Sequence, residues 1–148
     1  MTRIQRILIS LFLRSRSGIL LLRRRTPYSE FVAHDPKSRL GLGLWELPGG
    51  GLDFAEAPLK AGVRETYEET GTLIDPGDLK LAACCAYTLR SPSCESHRIH
   101  VIYSANVSAP LQVNLSSEHA AYKWVRSLSA FQDFSMVPEL RSVIADSL

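Results

Sequence analysis

The sequence predicts a mixed α/β domain, either α+β or α/β/α layers built on a mixed sheet. Three observations point there. Apolar runs at 6–13 and 19–24 flank the turn Ser15-Arg16-Ser17-Gly18 and read as paired strands. A helical stretch follows at 58–70, with Pro58 in its first turn and Gly71 at its stop. Strand-like runs return at 79–89, 99–107 and 122–125, and a terminal helix closes the chain.

Taken in order, 6–13 and 19–24 have the apolar density of core strands. Residues 27–40 are mostly polar, contain Pro36 and read as a long loop, of the kind that often carries function. Leu42, Leu44, Trp45 and Leu47 allow a short strand before Pro48-Gly49-Gly50-Gly51 punctuates the chain. On the central helix, Leu59, Val63 and Tyr67 recur at i, i+4 and i+8 and form the expected core face. Ile99, Val101 and Tyr103 alternate onto one face of their strand, whose expected partner is 79–89 through a polar 90–98 loop. Ser135 is expected to cap the terminal helix, with Leu140, Val143, Ile144 and Leu148 as its apolar stripe. No repeat or linker interrupts the sequence, so one domain is expected over 1–148.

Composition excludes several classes. The 148 residues are 45% hydrophobic and 22% charged with a net charge of +2, unlike a disordered chain, a collagen repeat or a coiled coil. So small an excess also argues against a chain that is wholly a nucleic-acid binder. The charges are nevertheless segregated. Seven arginines and no acid lie within 1–25, whereas Asp53, Glu56, Glu65, Glu68 and Glu69 crowd into 53–71. Residues 7–13 are too short to span a bilayer and run into Arg14 and Arg16, so no membrane partner or signal peptide is expected. Cys84, Cys85 and Cys94 lack zinc-site spacing and cannot all pair. Free thiols in a reducing, cytoplasmic compartment are expected.

Glu65, Glu68 and Glu69 stand at i, i+3 and i+4, which puts three carboxylates on one helix face. Their repulsion costs ~0.2–0.5 kcal/mol per exposed pair. A solvated face, neighbouring Arg64 and Lys60, or a hard divalent cation would each offset it. The adjacent glycine run favours the cation, because glycine lets backbone approach a ligand.

Here the spacing resembles the Nudix (MutT-like) hydrolase family. Gly50, Glu56, Arg64, Glu65, Glu68, Glu69 and Gly71 reproduce its box: Gly, five residues, Glu, seven, Arg-Glu, two, Glu-Glu, one, Gly. Trp45-Glu46-Leu47-Pro48-Gly49-Gly50 is similar to the family's approach to the box, while Thr66 and Thr72 replace its usual aliphatic residues. The resemblance implies an α/β/α sandwich and metal-dependent hydrolysis of a nucleoside diphosphate linked to X, with Mg²⁺ or Mn²⁺ as cofactor. It implies Glu65, Glu68 and Glu69 as metal ligands joined by the Gly49 carbonyl, Glu56 as their support, and Arg64 as a brace. Glu118, in Glu118-His119-x-x-Tyr122-x-Trp124, resembles a late glutamate of some members and is a second candidate base beside Glu65. His119 itself reads as a loop histidine.

Substrate signatures outside the box are weaker. Arg23 and Arg25, which alternation turns away from Arg24, are candidate phosphate contacts. Tyr87 stands fifteen residues beyond Thr72, close to the tyrosine of dinucleoside polyphosphate hydrolases. Tyr28, Phe31, Phe131 and Phe134 are further base-stacking candidates, and His34 and Asp35 are candidate contacts from the 26–39 loop. The expected substrate is a small nucleotide such as a (d)NTP. The alternatives are a dinucleoside polyphosphate, an RNA 5′ end, or a non-catalytic nucleotide-binding module. The resemblance also allows a homodimer.

Overall fold

The computed structural model describes residues 1–108 and 112–148. In chain order the elements are β1 (Thr2–Ser15), β2 (Gly18–Arg24), α1 (Ser29–His34), β3 (Trp45–Glu46), β4 (Gly49–Gly51), α2 (Pro58–Thr70), β5 (Lys80–Arg90), β6 (Cys94–Asn106), β7 (His119–Val125) and α3 (Pro138–Ala145). The strands form one mixed sheet in the order β3-β2-β1-β6-β5, with β4 added to β1 and β7 to β2.

β1 runs parallel to β6 from Thr2↔Cys94 to Arg14↔Asn106. With β2 it pairs at the hairpin tip, Arg14↔Ile19 and Ser15↔Gly18. Gly18 makes that tip at φ +116, where a Cβ would stand 2.1 Å from the Val125 carbonyl oxygen. Away from the tip the two strands take different partners. β4 pairs with β1 at Leu8–Ser10, whereas β3 and β7 pair with β2. The sheet thus divides into two leaves.

Register partners of a parallel pair share a face, so Arg6, Leu8, Ser10 and Phe12 project with Arg98, His100 and Ile102. At one end of this face Phe12 and Ile102 pack against Leu140 and Ile144 of α3. At the other end the polar residues remain open. α2 covers the opposite face, where a Cβ on Gly62 would already touch Leu11 and Ile9 at 3.2 and 3.3 Å.

That close approach corrects the expected core face of α2. Val63 packs on the core as expected, but Leu59 and Tyr67 are exposed, and the buried residues are Ala61, Gly62, Thr66, Glu69 and Thr70. Small residues let the helix settle on β1, and bulkier ones are turned outward. The expected 90–98 loop is instead a short turn, closed by Ser91 N donating to the Cys94 carbonyl at 2.8 Å. β6 begins at Cys94, and its buried side alternates as Cys94, Ser96, Arg98, His100 and Ile102. The polar members of that set hide its period. The 27–40 segment contains α1. Ser135 does not cap α3, whose N-cap is Val137; the Ser135 carbonyl accepts from Trp45 N instead.

Candidate active site

A cleft of about 500 Å³ opens where the leaves part, walled by β1, β4, β6 and the start of α1. Arg24, Glu46, Arg98 and His100 form its floor and sides. The Tyr28 ring packs beneath two guanidiniums, Arg24 at 4.5 Å and Arg98 at 4.0 Å, which fixes both. Glu30 of α1 accepts from Arg6 and Arg98 and holds them together.

The glycine loop and α2 meet along one side of the cleft. Gly49 N donates to Glu69 Oε1 at 2.7 Å. Gly50 lies so close to Glu65 that a Cβ there would stand 2.5 Å from its carboxyl carbon. The α2 glutamates therefore occupy three environments: Glu69 is buried, Glu65 is half-buried at the cleft, and Glu68 is exposed. Burial raises the pKa of Glu69 well above the ordinary value, helped by the Glu46 charge. Burial also raises Glu65, against the opposing pull of Arg64.

Arg64 ties these groups together. It donates to Glu56 through Nε at 2.8 Å and Nη2 at 2.9 Å, and to Glu65 Oε1 at 2.8 Å. Weaker contacts reach Glu68 at 3.4 Å and the Gly51 carbonyl at 3.3 Å. The paired Arg64 bonds bring Glu56 down to about 2.

A second buried chain begins at His119. Its Nε2 lies 2.9 Å from Glu46 Oε1, and its Nδ1 lies 3.3 Å from Glu69 Oε2 without hydrogen-bond geometry. Arg24 donates to the same Glu46 oxygen at 3.0 Å. Burial pushes Glu46 upward, but His119 and Arg24 outweigh it and hold the carboxyl low. Glu46, Glu69 and His119 place ligand atoms within 4.8 Å of one another and could hold a divalent cation. Beneath the cleft, His100 joins Ser10 Oγ at 2.9 Å to the Tyr87 hydroxyl at 2.8 Å. Burial lowers His100 to about 4, so it is neutral near pH 7.

Comparison with known proteins decides the family. The NUDIX domain family matches residues 4–146. The chain belongs to the Nudix family. It is 31% identical over 132 residues to the asymmetrical bis(5′-nucleosyl)-tetraphosphatase of Sus scrofa, across 81% of this chain and 87% of that protein. With the RNA pyrophosphohydrolase of Brucella anthropi it shares 61% identity over 28 residues, 19% of this chain and 16% of that one. The MutT protein of Methanosarcina mazei has the same fold, with a TM-score of 0.69 at 23% identity over 97% of this chain and 93% of that one. Membership supports pyrophosphohydrolase chemistry on a nucleoside diphosphate moiety in general terms.

The positions expected from the family resemblance, in the box and beyond it, gather as follows. Gly49, Gly50, Glu65 and Glu118 line the cleft, and Glu69 sits behind Gly49. The Glu118 charge reaches Glu65 and Glu69. Glu56 and Glu68 join through Arg64, and Gly71, at φ +73, ends α2. Arg23 and Arg25 are exposed and do not line the cleft; Arg24, with the opposite alternation, does. Tyr87 is buried behind His100 rather than on the cleft wall. Phe31 and Phe131 are fully buried, and Phe134 stacks on Trp45 at 4.2 Å. His34 and Asp35 are exposed and turn to their own backbone, His34 Nδ1 to the Glu30 carbonyl and Asp35 to Lys37 N. His119 is no loop histidine, since it opens β7 and its side chain is fully buried. Glu46, Arg98, His100 and Glu30 were not singled out. Their signal is a polar residue at an inward position of a strand or short helix, which for Arg98 becomes visible once β6 is extended back to Cys94.

Proposed function

We propose that this Nudix protein hydrolyses a dinucleoside tetraphosphate to a nucleoside triphosphate and a nucleoside monophosphate, using Mg²⁺ or Mn²⁺. One observation carries the substrate. Similarity to the asymmetrical bis(5′-nucleosyl)-tetraphosphatase extends along most of both chains, whereas that to the RNA pyrophosphohydrolase stops at 28 residues. This moves the preference away from a (d)NTP.

The residues fit a hard divalent cation. Glu65 and Glu68 pair with Arg64, whereas Glu69 lies on Gly49 N; burial first, and neighbouring carboxylates second, raise Glu65 and Glu69, and a bound cation would relieve the carboxylate repulsion. These three carboxylates, with the Gly49 carbonyl, would hold the ion. When bound, it would neutralise phosphate oxygens and lower the pKa of a water. The chain's own residues position the rest. Arg64 keeps Glu56, Glu65 and Glu68 in register with the Gly51 backbone. Arg24 and Arg98, immobilised on Tyr28, face the phosphate chain in the cleft. Glu65 or Glu118, both on the cleft wall, accepts the proton of the attacking water as its oxygen bonds to phosphorus and the bridging P–O bond breaks.

Diadenosine tetraphosphate, a dNTP set and 5′-triphosphorylated RNA, each with Mg²⁺ or Mn²⁺, test this reading by anion-exchange analysis of products. Equal amounts of ATP and AMP, formed faster than products of the other substrates, are expected. Two ADP molecules overturn the asymmetric cleavage, and faster turnover of RNA or a dNTP overturns the substrate. Glu68→Gln should lower the rate at least ~10²-fold, and an unchanged rate overturns the metal assignment.

A further inference from the structure

We propose that Phe54 is the platform for the second nucleobase of the substrate, at a hollow that adjoins the cleft beside Arg6 and Gly51. The inference rests on the dinucleoside reading above. Phe54 is fully exposed on the loop between β4 and α2. The loop around it is pinned: Leu52 N donates to the Ile7 carbonyl at 2.9 Å, Asp53 N to Glu56 Oε1 at 3.1 Å, and Glu56 N to the Asp53 carbonyl at 3.1 Å. Arg64 adds a contact to Asp53 at 3.4 Å. Ala55 follows at φ +62, the left-handed region that residues other than glycine enter at a cost. The backbone therefore holds an aromatic ring out in water instead of folding it onto the nearby apolar surface.

Beside Phe54 lies a hollow of about 370 Å³, in which apolar Ile7 and Leu52 alternate with polar Gln5, Arg6 and Asp53. It adjoins the main cleft, because Arg6 and Gly51 line both. Arg6 spans the junction. One of its terminal nitrogens pairs with Glu30, and the other lies across Gly51, 2.6 Å from where a Cβ would be. A substrate with two nucleosides joined by a polyphosphate matches this order. One nucleoside occupies the cleft, the phosphates pass the α2 carboxylates and Arg6, and the second base lies between Phe54 and the Ile7–Leu52 floor. Stacking on an aromatic ring suits any base.

The test compares kcat/KM for diadenosine tetraphosphate with that for adenosine 5′-tetraphosphate, which lacks the second nucleoside, in wild type, Phe54→Ala and Phe54→Tyr. In Phe54→Ala the ratio of the two should fall about 10-fold, the size of one base–aromatic stack. Phe54→Tyr should retain the ratio, which a role in loop folding alone would not require. An unchanged ratio in Phe54→Ala, or an equal loss on both substrates, overturns the platform and leaves the proposed function standing. A loss confined to 5′-triphosphorylated RNA also overturns it. A wild type that does not cleave diadenosine tetraphosphate overturns both.

Discussion

The Gly49 amide and the Glu69 carboxylate meet at 2.7 Å, so the glycine loop is fastened to the helix that carries the acidic face. The bond compensates little of the carboxylate's burial, and Glu69 retains a pKa well above the ordinary range. A carboxyl raised in the native state binds protons there that the unfolded state does not. Its ionisation above the ordinary pKa therefore costs stability as pH rises. Glu69→Gln keeps an oxygen for Gly49 N and removes that charge. Melting temperature without metal should rise, the increment given by Mg²⁺ should shrink, and activity should fall at least ~10²-fold. Differential scanning fluorimetry with and without Mg²⁺, beside a rate assay, checks all three.

Arg64 grips Glu56 with two nitrogens, and lysine cannot reproduce that fork. Arg64→Lys should lower kcat about 10-fold with little change in KM, because it loosens the positions of Glu56 and Glu65 without touching the cleft floor. Glu56, held at about 2, favours the fold above its ordinary pKa of 4.5, and this contribution disappears as pH falls from 4.5 through 2. Acid unfolding of Arg64→Lys should accordingly begin at higher pH than in wild type, as circular dichroism would show.

His100 gives a pH dependence in a higher window. Burial lowers it from 6.5 to about 4, so the unfolded state takes up a proton first as pH falls. Stability is full above 6.5 and declines toward pH 4, by about 3 kcal/mol in total. Urea titrations across this range should show the decline in wild type, and His100→Asn should flatten it.

Thr66 is fully buried on α2, and its hydroxyl has no hydrogen-bond partner among the described residues. Thr66→Val should stabilise the fold by about 1 kcal/mol while leaving kcat/KM within about 2-fold. A lower denaturation midpoint would show that the hydroxyl is satisfied after all.

The central helix and the box upon it were legible because their signals are local: Pro58 and Gly71 bound the helix, and the spacing from Gly50 to Gly71 is written along one segment. The near end of β6 was not legible. Ser96 and Arg98 alternate with His100 as strand residues should, but within 90–98 their polarity reads as loop until the fold turns them inward and Glu30 of α1 receives Arg98. The core face of α2 was misread for a related reason. Apolar bulk normally marks a buried side, whereas here the separation of helix and sheet selects Gly62 and Thr66.

By itself, the sequence determined the mixed α/β class, the helix that bears Glu65, Glu68 and Glu69, and the family its box resembles. Each depends on residues close together in the chain, where period and spacing act directly. Tertiary structure decided how the three glutamates divide between buried, half-buried and exposed, that Arg24 rather than its neighbours faces the cleft, and that His119 bonds Glu46 and stands beside Glu69. Those outcomes depend on desolvation and charge pairing between segments up to 73 residues apart, and that distance in sequence is bridged only when the two leaves of the sheet close around the cleft.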